Sequence, residues 1–238
     1  MGISISRRLL TAVAAVTLTV GLVGVATTHA RTTAASSPAV AAAAVKPNIV
    51  LVLMDDLDSL TSPFWDAMPK SAAAIRDTGL TFSDNFGPTP TCCPARSTIL
   101  TGKYAHNTGV FNNGGALGGF KTFLDKGNET NTVATYLQAA GYRTGIAGKY
   151  LNGIQTFPTH IAPGWNDWNV GVDPNLYTGY NYTLNENGTM VKYGATPKDY
   201  LTDVVAHKSV SFINKAVAAH QPFFWYAAST APHPLPST

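Results

Sequence analysis

Charged residues and cysteines are both scarce in this chain of 238 residues. Asp, Glu, Lys and Arg make up 12% of it, against about 25% in a typical soluble domain. There is no run of Lys and Arg and the net charge is only +3, so nothing favours a nucleic-acid partner. The two cysteines, Cys92 and Cys93, are neighbours, and a disulfide between them would be strained. A disulfide framework is therefore excluded, and thiols that matter here would act through their chemistry.

Residues 1–30 have the pattern of an export signal. Two arginines precede an uncharged apolar stretch over residues 9–26, and residues 28–30 (Thr-His-Ala) offer a small-residue cleavage site. The alternative is an uncleaved membrane anchor, because the apolar stretch is just long enough to span a bilayer. Residues 31–45 are a low-complexity spacer rich in Ala, Ser and Thr. We expect cleavage of the signal, secretion of the protein and no stable membrane partner.

From residue 46 onward, strand patterns alternate with helix patterns. A continuous apolar run, which is typical of a strand buried in a parallel sheet, occupies residues 48–54, and further strand patterns occupy residues 142–147 and 223–228. Apolar residues at helical spacing occupy residues 65–78, 131–140 and 197–220. This alternation predicts an α/β fold with a mainly parallel sheet. The Gly-, Asn- and Tyr-rich stretch 152–196 shows little periodicity, so we expect it to form loops over the site.

Polar groups follow each of the three predicted strands. The pair Asp55 and Asp56 ends the first strand, Lys149 follows the second, and His233 follows the third. Each of them alone would be an ordinary turn or surface residue. In open α/β sheets, however, ligands bind beyond the carboxyl ends of the strands, so their shared placement indicates a functional site.

A second group lies in the segment around the two thiols. Pro94 suits the first turn of a helix, where its missing N–H has no partner. Cys92 would then stand at the helix entrance, where free N–H groups and the positive end of the dipole attract an anion. Arg96 can offer a planar set of donors to a tetrahedral oxyanion at the same point. A nucleophile, an anion site and an arginine so close together predict transfer chemistry on sulfate or phosphate.

These residues resemble the signature of the sulfatase family, C-x-P-(S/A)-R followed by T-G, which here is Cys92-x-Pro94-Ala95-Arg96 with Thr101-Gly102. The longer string CCPARSTILTGKYAHN is most similar to the N-acetylglucosamine-6-sulfatase branch. The strings PNIVLVLMDD, AGKYLNG and APHPLP follow the order of the family. The resemblance implies that residues 46–238 are the amino-terminal part of a sulfatase catalytic domain. Its fold would be the alkaline-phosphatase-like α/β sandwich with a mainly parallel central sheet, incomplete in this chain.

The resemblance also implies a modified nucleophile and a metal ion. Cys92 matches the cysteine that a formylglycine-generating maturation enzyme oxidises to 3-oxoalanine (formylglycine), while Cys93 occupies a variable position. Asp55 and Asp56 match two carboxylate ligands of a calcium ion, which the modified Cys92 also contacts. Hard oxygen ligands suit calcium, and its charge would acidify a hydroxyl of the hydrated aldehyde.

Four basic residues match substrate-binding positions of the family. Arg96 matches the residue that steadies the diol, and Lys149 matches a lysine that binds the sulfate group. His233 matches the histidine near the leaving oxygen, and Lys103 sits at the basic position that closes the T-G box. One hydroxyl of the diol would attack sulfur while the alcohol leaves with a proton from His233 or a positive neighbour. The second hydroxyl would then collapse to the aldehyde and expel sulfate.

The chain departs from the family pattern at two places. Many arylsulfatases carry K-x-H after the second strand, whereas Leu151 occupies the histidine position here, so the base for sulfate release is unidentified. The family also supplies further metal ligands and a lysine beyond the segment of His233. Calcium takes six to eight oxygens, and so we expect this chain to be part of a larger enzyme and inactive alone.

The substrate implied by this branch is a sulfated small molecule or glycan of the 6-sulfated N-acetylglucosamine type. Aromatic and amide side chains in the 152–196 stretch suit sugar recognition: Tyr177, Tyr180, Asn181 and Tyr182. The alternatives are an arylsulfatase, or a phosphoesterase or phosphonate hydrolase of the alkaline-phosphatase superfamily. A non-enzymatic alternative treats the two thiols as a soft-metal or redox pair, although the CxxC spacing and additional ligands expected for it are missing.

Overall fold

The computed structural model describes residues 45–57 and 64–234. The predicted export signal and nearly all of the spacer lie outside the described residues. The strands are β1 Ile49–Leu53, β2 Arg143–Gly148, β3 Asp167–Gly171, β4 Thr183–Glu186, β5 Thr189–Lys192 and β6 Phe223–Ala228. The α-helices are α1 Phe64–Ala67, α2 Pro69–Ser71, α3 Cys92–Thr101, α4 Ala105–Thr108, α5 Gly119–Asp125, α6 Val133–Ala139 and α7 Leu201–Ala218. A π-helix spans Ala72–Arg76, and 3₁₀ turns span Asn128–Thr130, Ile154–Thr156, Pro174–Thr178 and Pro197–Asp199.

The six strands of the described residues form a single sheet in the order β1-β6-β2-β3-β4-β5. Strand β6 lies between β1 and β2 and is parallel to both, and β2 is parallel to β3. The hairpin of β4 and β5 continues the sheet in antiparallel fashion. The carboxyl ends of β1, β6 and β2 are therefore adjacent at one edge of the sheet, as the sequence predicted for the three apolar runs.

The sheet is covered on two faces, which makes it the middle layer of an α/β sandwich. On one face, Phe224 and Tyr226 of β6 join a core with Phe120 of α5 and Cys93 of α3. On the other face, Trp225 packs into a second core with α7. Successive strand residues point to opposite faces, which explains why one apolar strand can supply both cores.

Most of the predicted elements are confirmed. The runs at 48–54, 142–147 and 223–228 are β1, β2 and β6, and the helical patterns at 131–140 and 197–220 contain α6 and α7. Helix α6 begins at a reciprocal capping box, in which the Thr132 hydroxyl accepts from the backbone N–H of Thr135 and the Thr135 hydroxyl accepts from that of Thr132. These local signals agree with the packing, and so the sequence was enough to find them.

Two predictions about regular structure were wrong. The segment 65–78 is not one helix, because α1, α2 and a π-helix follow one another there; Pro69 lacks the N–H that a continuous helix needs. The stretch 152–196 is not all loop, because it contains β3, β4 and β5. These strands are short and rich in polar residues, but the Asn187-Gly188 pair between β4 and β5 is a recognised hairpin signal.

Burial of β1 on both faces was also an incorrect expectation. Val50 and Val52 are 49% and 54% exposed, whereas Ile49, Leu51 and Leu53 pack against the first core. Among the described residues β1 pairs only with β6, so it is an edge strand, and α7 packs over β6 and β2.

Within residues 45–57 and 64–234, no helix combines the length and the apolar character that crossing a membrane requires.

Candidate active site

The adjacent ends of β1, β6 and β2 bring distant parts of the chain together. Asp55 follows β1, and its backbone N–H donates to the carbonyl of Ala231 beyond β6 at 3.3 Å. Lys149 follows β2, and its N–H donates to the carbonyl of Ala228 at 2.8 Å. These two hydrogen bonds hold in place the backbone that carries the polar side chains. The structure therefore brings the segments that follow these strands together, as the sequence predicted.

Helix α3 delivers the thiol segment to the same place. Thr91 is the N-cap in an extended conformation, so Cys92 is the first helical residue and Pro94 lies in the first turn. The N–H of Cys93 donates to the side-chain oxygen of Asn113 at 2.8 Å, which satisfies one of the free donors of this turn. Gly102 ends the helix in the left-handed conformation at φ 68°. The helix entrance is therefore well defined, and Cys92 stands on it.

A buried triad of one carboxylate and two cations forms the floor of the site. Asp55 Oδ1 accepts from Arg96 Nη2 at 2.9 Å, and Asp55 Oδ2 accepts from Lys149 Nζ at 2.6 Å. Arg96 Nη1 also donates to the carbonyl of Lys149 at 2.9 Å. All three residues are at least 95% buried. One negative charge faces two positive charges, which leaves a local surplus of positive charge for an anion to neutralise.

The charge on Lys149 is stable at neutral pH. Burial and the neighbouring Arg96 act to lower the pKa of Lys149, but its hydrogen bonds with Asp55 and Tyr177 outweigh them. The pKa of Lys149 consequently lies above its ordinary value, and both cations of the triad are charged.

Cys92 and His233 complete the cluster around Asp55. One ligand atom from each of Asp55, Cys92 and His233 lies within 4.8 Å of the other two. Asp56 is next to this group, because its Oδ2 lies 3.3 Å from His233 Nε2. Asp56 has a positive φ of 55°, an uncommon value for a non-glycine residue that turns the chain sharply after β1.

The donor set fits part of a calcium shell. Asp55 and Asp56 supply hard carboxylate oxygens, while the sulfur of Cys92 is a soft ligand that suits calcium poorly. With an oxygen in place of the sulfur at position 92, as in formylglycine, every donor of this set except the His233 nitrogen would be an oxygen. Two carboxylates and one such oxygen remain below the six to eight ligands that calcium takes.

The two thiols have different surroundings. Cys93 is fully buried, and its Sγ lies 3.7 Å from the carbonyl oxygen of Asn152. Burial raises the pKa of the Cys93 thiol to about 12. Cys92 is partly exposed beside the ionic cluster. Cys93 is therefore a packing residue of the first core, and only Cys92 faces the site.

This difference predicts selective alkylation of the unmodified protein. Iodoacetamide at neutral pH should label Cys92 in the folded protein and label Cys93 only after denaturation, because the thiolate is the nucleophile. Peptide mass spectrometry of protein produced without the maturation enzyme would measure both sites. Equal labelling of both thiols in the folded state would contradict the burial of Cys93.

The other predicted residues lie in different places. Lys103 is exposed beyond the far end of α3, a helix of 10 residues and hence about 15 Å long; the structure does not bring it to the cluster. Tyr182 is buried and stacks on Tyr193, whereas Tyr180 packs on Tyr200 and Asn181 is exposed. Of the four residues predicted to bind sugar, only Tyr177 reaches the cluster.

Tyr177 contacts two of the site residues at once. Its ring centroid lies 4.8 Å from Lys149 Nζ and 4.7 Å from the centroid of the His233 ring. The side-chain nitrogen of Asn152 donates to its hydroxyl at 3.1 Å. Sequence reasoning overlooked Asn152 and Asn113, because side chains that hold a site from separate loops have no fixed spacing.

Two cavities of about 270 Å³ each open beside the cluster. The first is lined by Lys149, Asn152 and the 174–177 turn, and the second by Tyr200, Thr202 and His233. Tyr177 lines both of them. Taken together, a nucleophile at a helix entrance, paired buried cations and open space beside them define a site for oxyanion chemistry on an α/β scaffold.

Comparison with known protein families shows which family the chain belongs to. The Sulfatase family model matches residues 47–238, and the chain belongs to this family. It is similar to human N-acetylglucosamine-6-sulfatase, with 39% identity over 204 residues that cover 82% of this chain and 36% of the human protein. The extracellular sulfatase SULF-1 homolog of Drosophila melanogaster is 39% identical over 191 residues, which cover 79% of this chain and 16% of that protein.

An arylsulfatase of Volvox carteri is also similar, at 34% identity over 201 residues, 81% of this chain and 30% of its own length. The chain thus spans between 16% and 36% of the lengths of these curated relatives. The structure of BT4656 in complex with its substrate D-glucosamine-2-N,6-O-disulfate has a TM-score of 0.63 and 22% identity, over 79% of this chain and 35% of that chain. This likeness shows that the fold is the alkaline-phosphatase-like one of sulfatases.

Proposed function

We propose that the protein is a sulfuric ester hydrolase, and that this chain carries its nucleophile and most of its sulfate-binding groups. The observation that carries the proposal is the position of Cys92 at the entrance of α3, with its Sγ within 4.8 Å of ligand atoms of Asp55 and His233. Arg96 and Lys149 are both bonded to that same Asp55. The reaction adds water to a sulfate ester and yields an alcohol and inorganic sulfate.

The charge of the site supports an anionic substrate. Arg96 and Lys149 share the single carboxylate of Asp55, and the positive end of the α3 dipole lies at Cys92. Lys149 has further donors on its ammonium group, and Arg96 has a planar set of donors. Both side chains can therefore bind sulfate oxygens without leaving Asp55.

Cys92 would carry formylglycine, and Asp55 and Asp56 would hold calcium. When bound, these groups supply a hydrated aldehyde as the nucleophile and a metal charge that acidifies it. A formylglycine-generating maturation enzyme is then a required partner. The sequence C-x-P-x-R around Cys92 and its partial exposure support this modification.

We propose that His233 gives a proton to the leaving oxygen. Its Nδ1 lies 2.6 Å from the carbonyl oxygen of Pro234, and its Nε2 lies 3.3 Å from Asp56 Oδ2. Both neighbours can accept hydrogen bonds from ring N–H groups. A ring N–H of His233 would give its proton to the departing alcohol oxygen. Lys103, far from this point, keeps its substrate-binding role only as a prediction from the family pattern.

We also propose that the substrate is a sulfated sugar of the 6-sulfated N-acetylglucosamine type. The name of the human relative and the ring of Tyr177 beside the cluster support a sugar. The similar arylsulfatase of Volvox carteri favours aryl sulfates as the second candidate. The extracellular relative from Drosophila and the signal pattern of residues 1–30 support export.

A substrate panel tests both candidates. Full-length protein made with the maturation enzyme and supplied with calcium should release sulfate from N-acetylglucosamine 6-sulfate with a higher kcat/KM than from 4-nitrophenyl sulfate. The matching phosphate esters should be turned over far more slowly. Activity on aryl sulfates alone would refute the sugar assignment, and preference for phosphate esters would refute the sulfatase assignment.

A further inference from the structure

Tyr177 is the one aromatic residue that contacts both Lys149 and His233 among the described rings. In the proposed reaction these two residues act on different parts of the substrate, because Lys149 binds the sulfate group and His233 faces the leaving oxygen. The Tyr177 ring therefore contacts one residue on the sulfate side of the reacting S–O bond and one residue on the leaving-group side. A cation beside an aromatic face is held electrostatically, and two tilted rings at 4.7 Å are in favourable contact.

The turn that carries Tyr177 is fixed from several sides. Asp173 caps the 3₁₀ turn Pro174–Thr178, since its side chain accepts from the N–H of Asn175 at 2.8 Å. The carbonyl of the buried Leu176 accepts from Thr230 Oγ1 at 3.3 Å, which ties this turn to the end of β6. Gly171 makes room for Leu176, because a Cβ there would come within 2.4 Å of Leu176 Cδ1.

The hydroxyl of Tyr177 is held as well. Asn152 Nδ2 donates to it at 3.1 Å, and the backbone carbonyl of Asn152 accepts from the N–H of Phe120 at 2.7 Å. Asn152 thus connects the Tyr177 ring to α5 and to the loop that follows Lys149. Because both its backbone turn and its hydroxyl are held, the Tyr177 ring can act as a rigid wall of the site.

This wall separates the two cavities beside the cluster. The cavity on the Lys149 side and the cavity on the His233 side share Tyr177 as a lining residue. His233 lies on the loop that follows β6 and has 22% of its side chain exposed. Its ring lies against the Tyr177 ring at an interplanar angle of 46°, and Asp55, Asp56, Cys92 and Pro234 are its other neighbours.

We propose that Tyr177 is a positioning residue, which sets the orientations of Lys149 and His233 through its ring. This inference rests on the proposed function, because it assigns those two residues to the reaction. Loss of the ring should leave the triad of Asp55, Arg96 and Lys149 intact but free the His233 imidazole to rotate. A displaced catalytic group lowers kcat more than it weakens binding, since the effect falls on the reacting geometry.

Three variants of the full-length, formylglycine-containing protein test the inference. Tyr177→Leu should lower kcat by about tenfold or more and change KM much less. Tyr177→Phe keeps the ring and should stay within about threefold of wild-type kcat, a loss equivalent to less than 1 kcal/mol. Tyr136→Leu is the control, because Tyr136 is an exposed residue of α6, and its kinetics should be those of wild type. If Tyr177→Leu does not fold, Tyr177→Met fills the same space without a ring.

A spectroscopic measurement separates this inference from the proposed function. In protein with labelled histidines, the His233 ring signals, assigned with His233→Gln, should be single and sharp in wild type and in Tyr177→Phe. They should broaden or double in Tyr177→Leu. Sharp, single His233 signals with unchanged kcat in Tyr177→Leu would overturn the inference, as would a Phe variant as slow as the Leu variant. A wild-type protein that cleaves no sulfate ester would refute the proposed function, while the signals would still decide the role of Tyr177.

Discussion

Replacing Cys92 by alanine should abolish sulfate release from the full-length protein. The loss should be on the order of a thousandfold or more in kcat, because removing a nucleophile costs several orders of magnitude. The fold should persist, since Cys92 is only partly buried at the helix entrance. Sulfate release from the best ester of the panel, measured beside the melting temperature, is the appropriate assay.

Cys93→Ser is the matched control for this experiment. It changes the neighbouring sulfur, which is buried in the core and faces the carbonyl of Asn152, a group that a serine hydroxyl can also contact. This variant should keep most of the wild-type kcat and show any loss in thermal stability instead. An equal loss of activity from both substitutions would contradict the assignment of Cys92 as the nucleophile.

Asp55→Asn should destabilise the protein more than any other single change considered. The substitution leaves Arg96 and Lys149 buried without their shared carboxylate, and breaking a buried ion pair in this way costs about 3–5 kcal/mol. Denaturant unfolding in the presence of a calcium chelator would measure the free energy of unfolding without any contribution from bound metal. Affinity for inorganic sulfate need not fall in parallel, because the two cations remain.

A surface ion pair provides the comparison. Lys121 and Asp125 are bonded on α5, with 68% and 54% of their side chains exposed, and such pairs contribute about 0–1 kcal/mol. Asp125→Asn should therefore leave the free energy of unfolding nearly unchanged. Similar small losses from Asp55→Asn and Asp125→Asn would mean that the triad is not a buried, mutually dependent unit. Partial recovery in Asp55→Asn/Lys149→Met would support it further.

Sequence reasoning found the parts of the fold that local patterns specify. The apolar runs that became β1 and β6 are uninterrupted, so their type was readable, and the polar residues after these strands and after β2 could be placed at a common edge. Pro94 marked the first turn of α3 for a local reason, its missing N–H. These inferences needed no knowledge of which distant residues touch.

What the sequence could not specify depends on contacts between distant segments. The strands β3, β4 and β5 are short and carry polar residues, and they are stabilised by pairing with one another and with β2. The sharing of Asp55 between Arg96 and Lys149 joins positions up to 94 apart in the chain. Tyr177 was noticed as one of four aromatic or amide residues, and its contacts with Lys149 and His233 distinguish it from the other three.

The mass of the peptide that contains Cys92 and Cys93 tests the central claim most directly. The full-length protein would be produced with a formylglycine-generating enzyme, digested and analysed by tandem mass spectrometry beside the same protein produced without it. The account predicts an aldehyde in place of the thiol at position 92, an intact thiol at position 93, and sulfate-ester hydrolysis only in the converted protein. Two intact thiols in a protein that hydrolyses sulfate esters at full rate would contradict it.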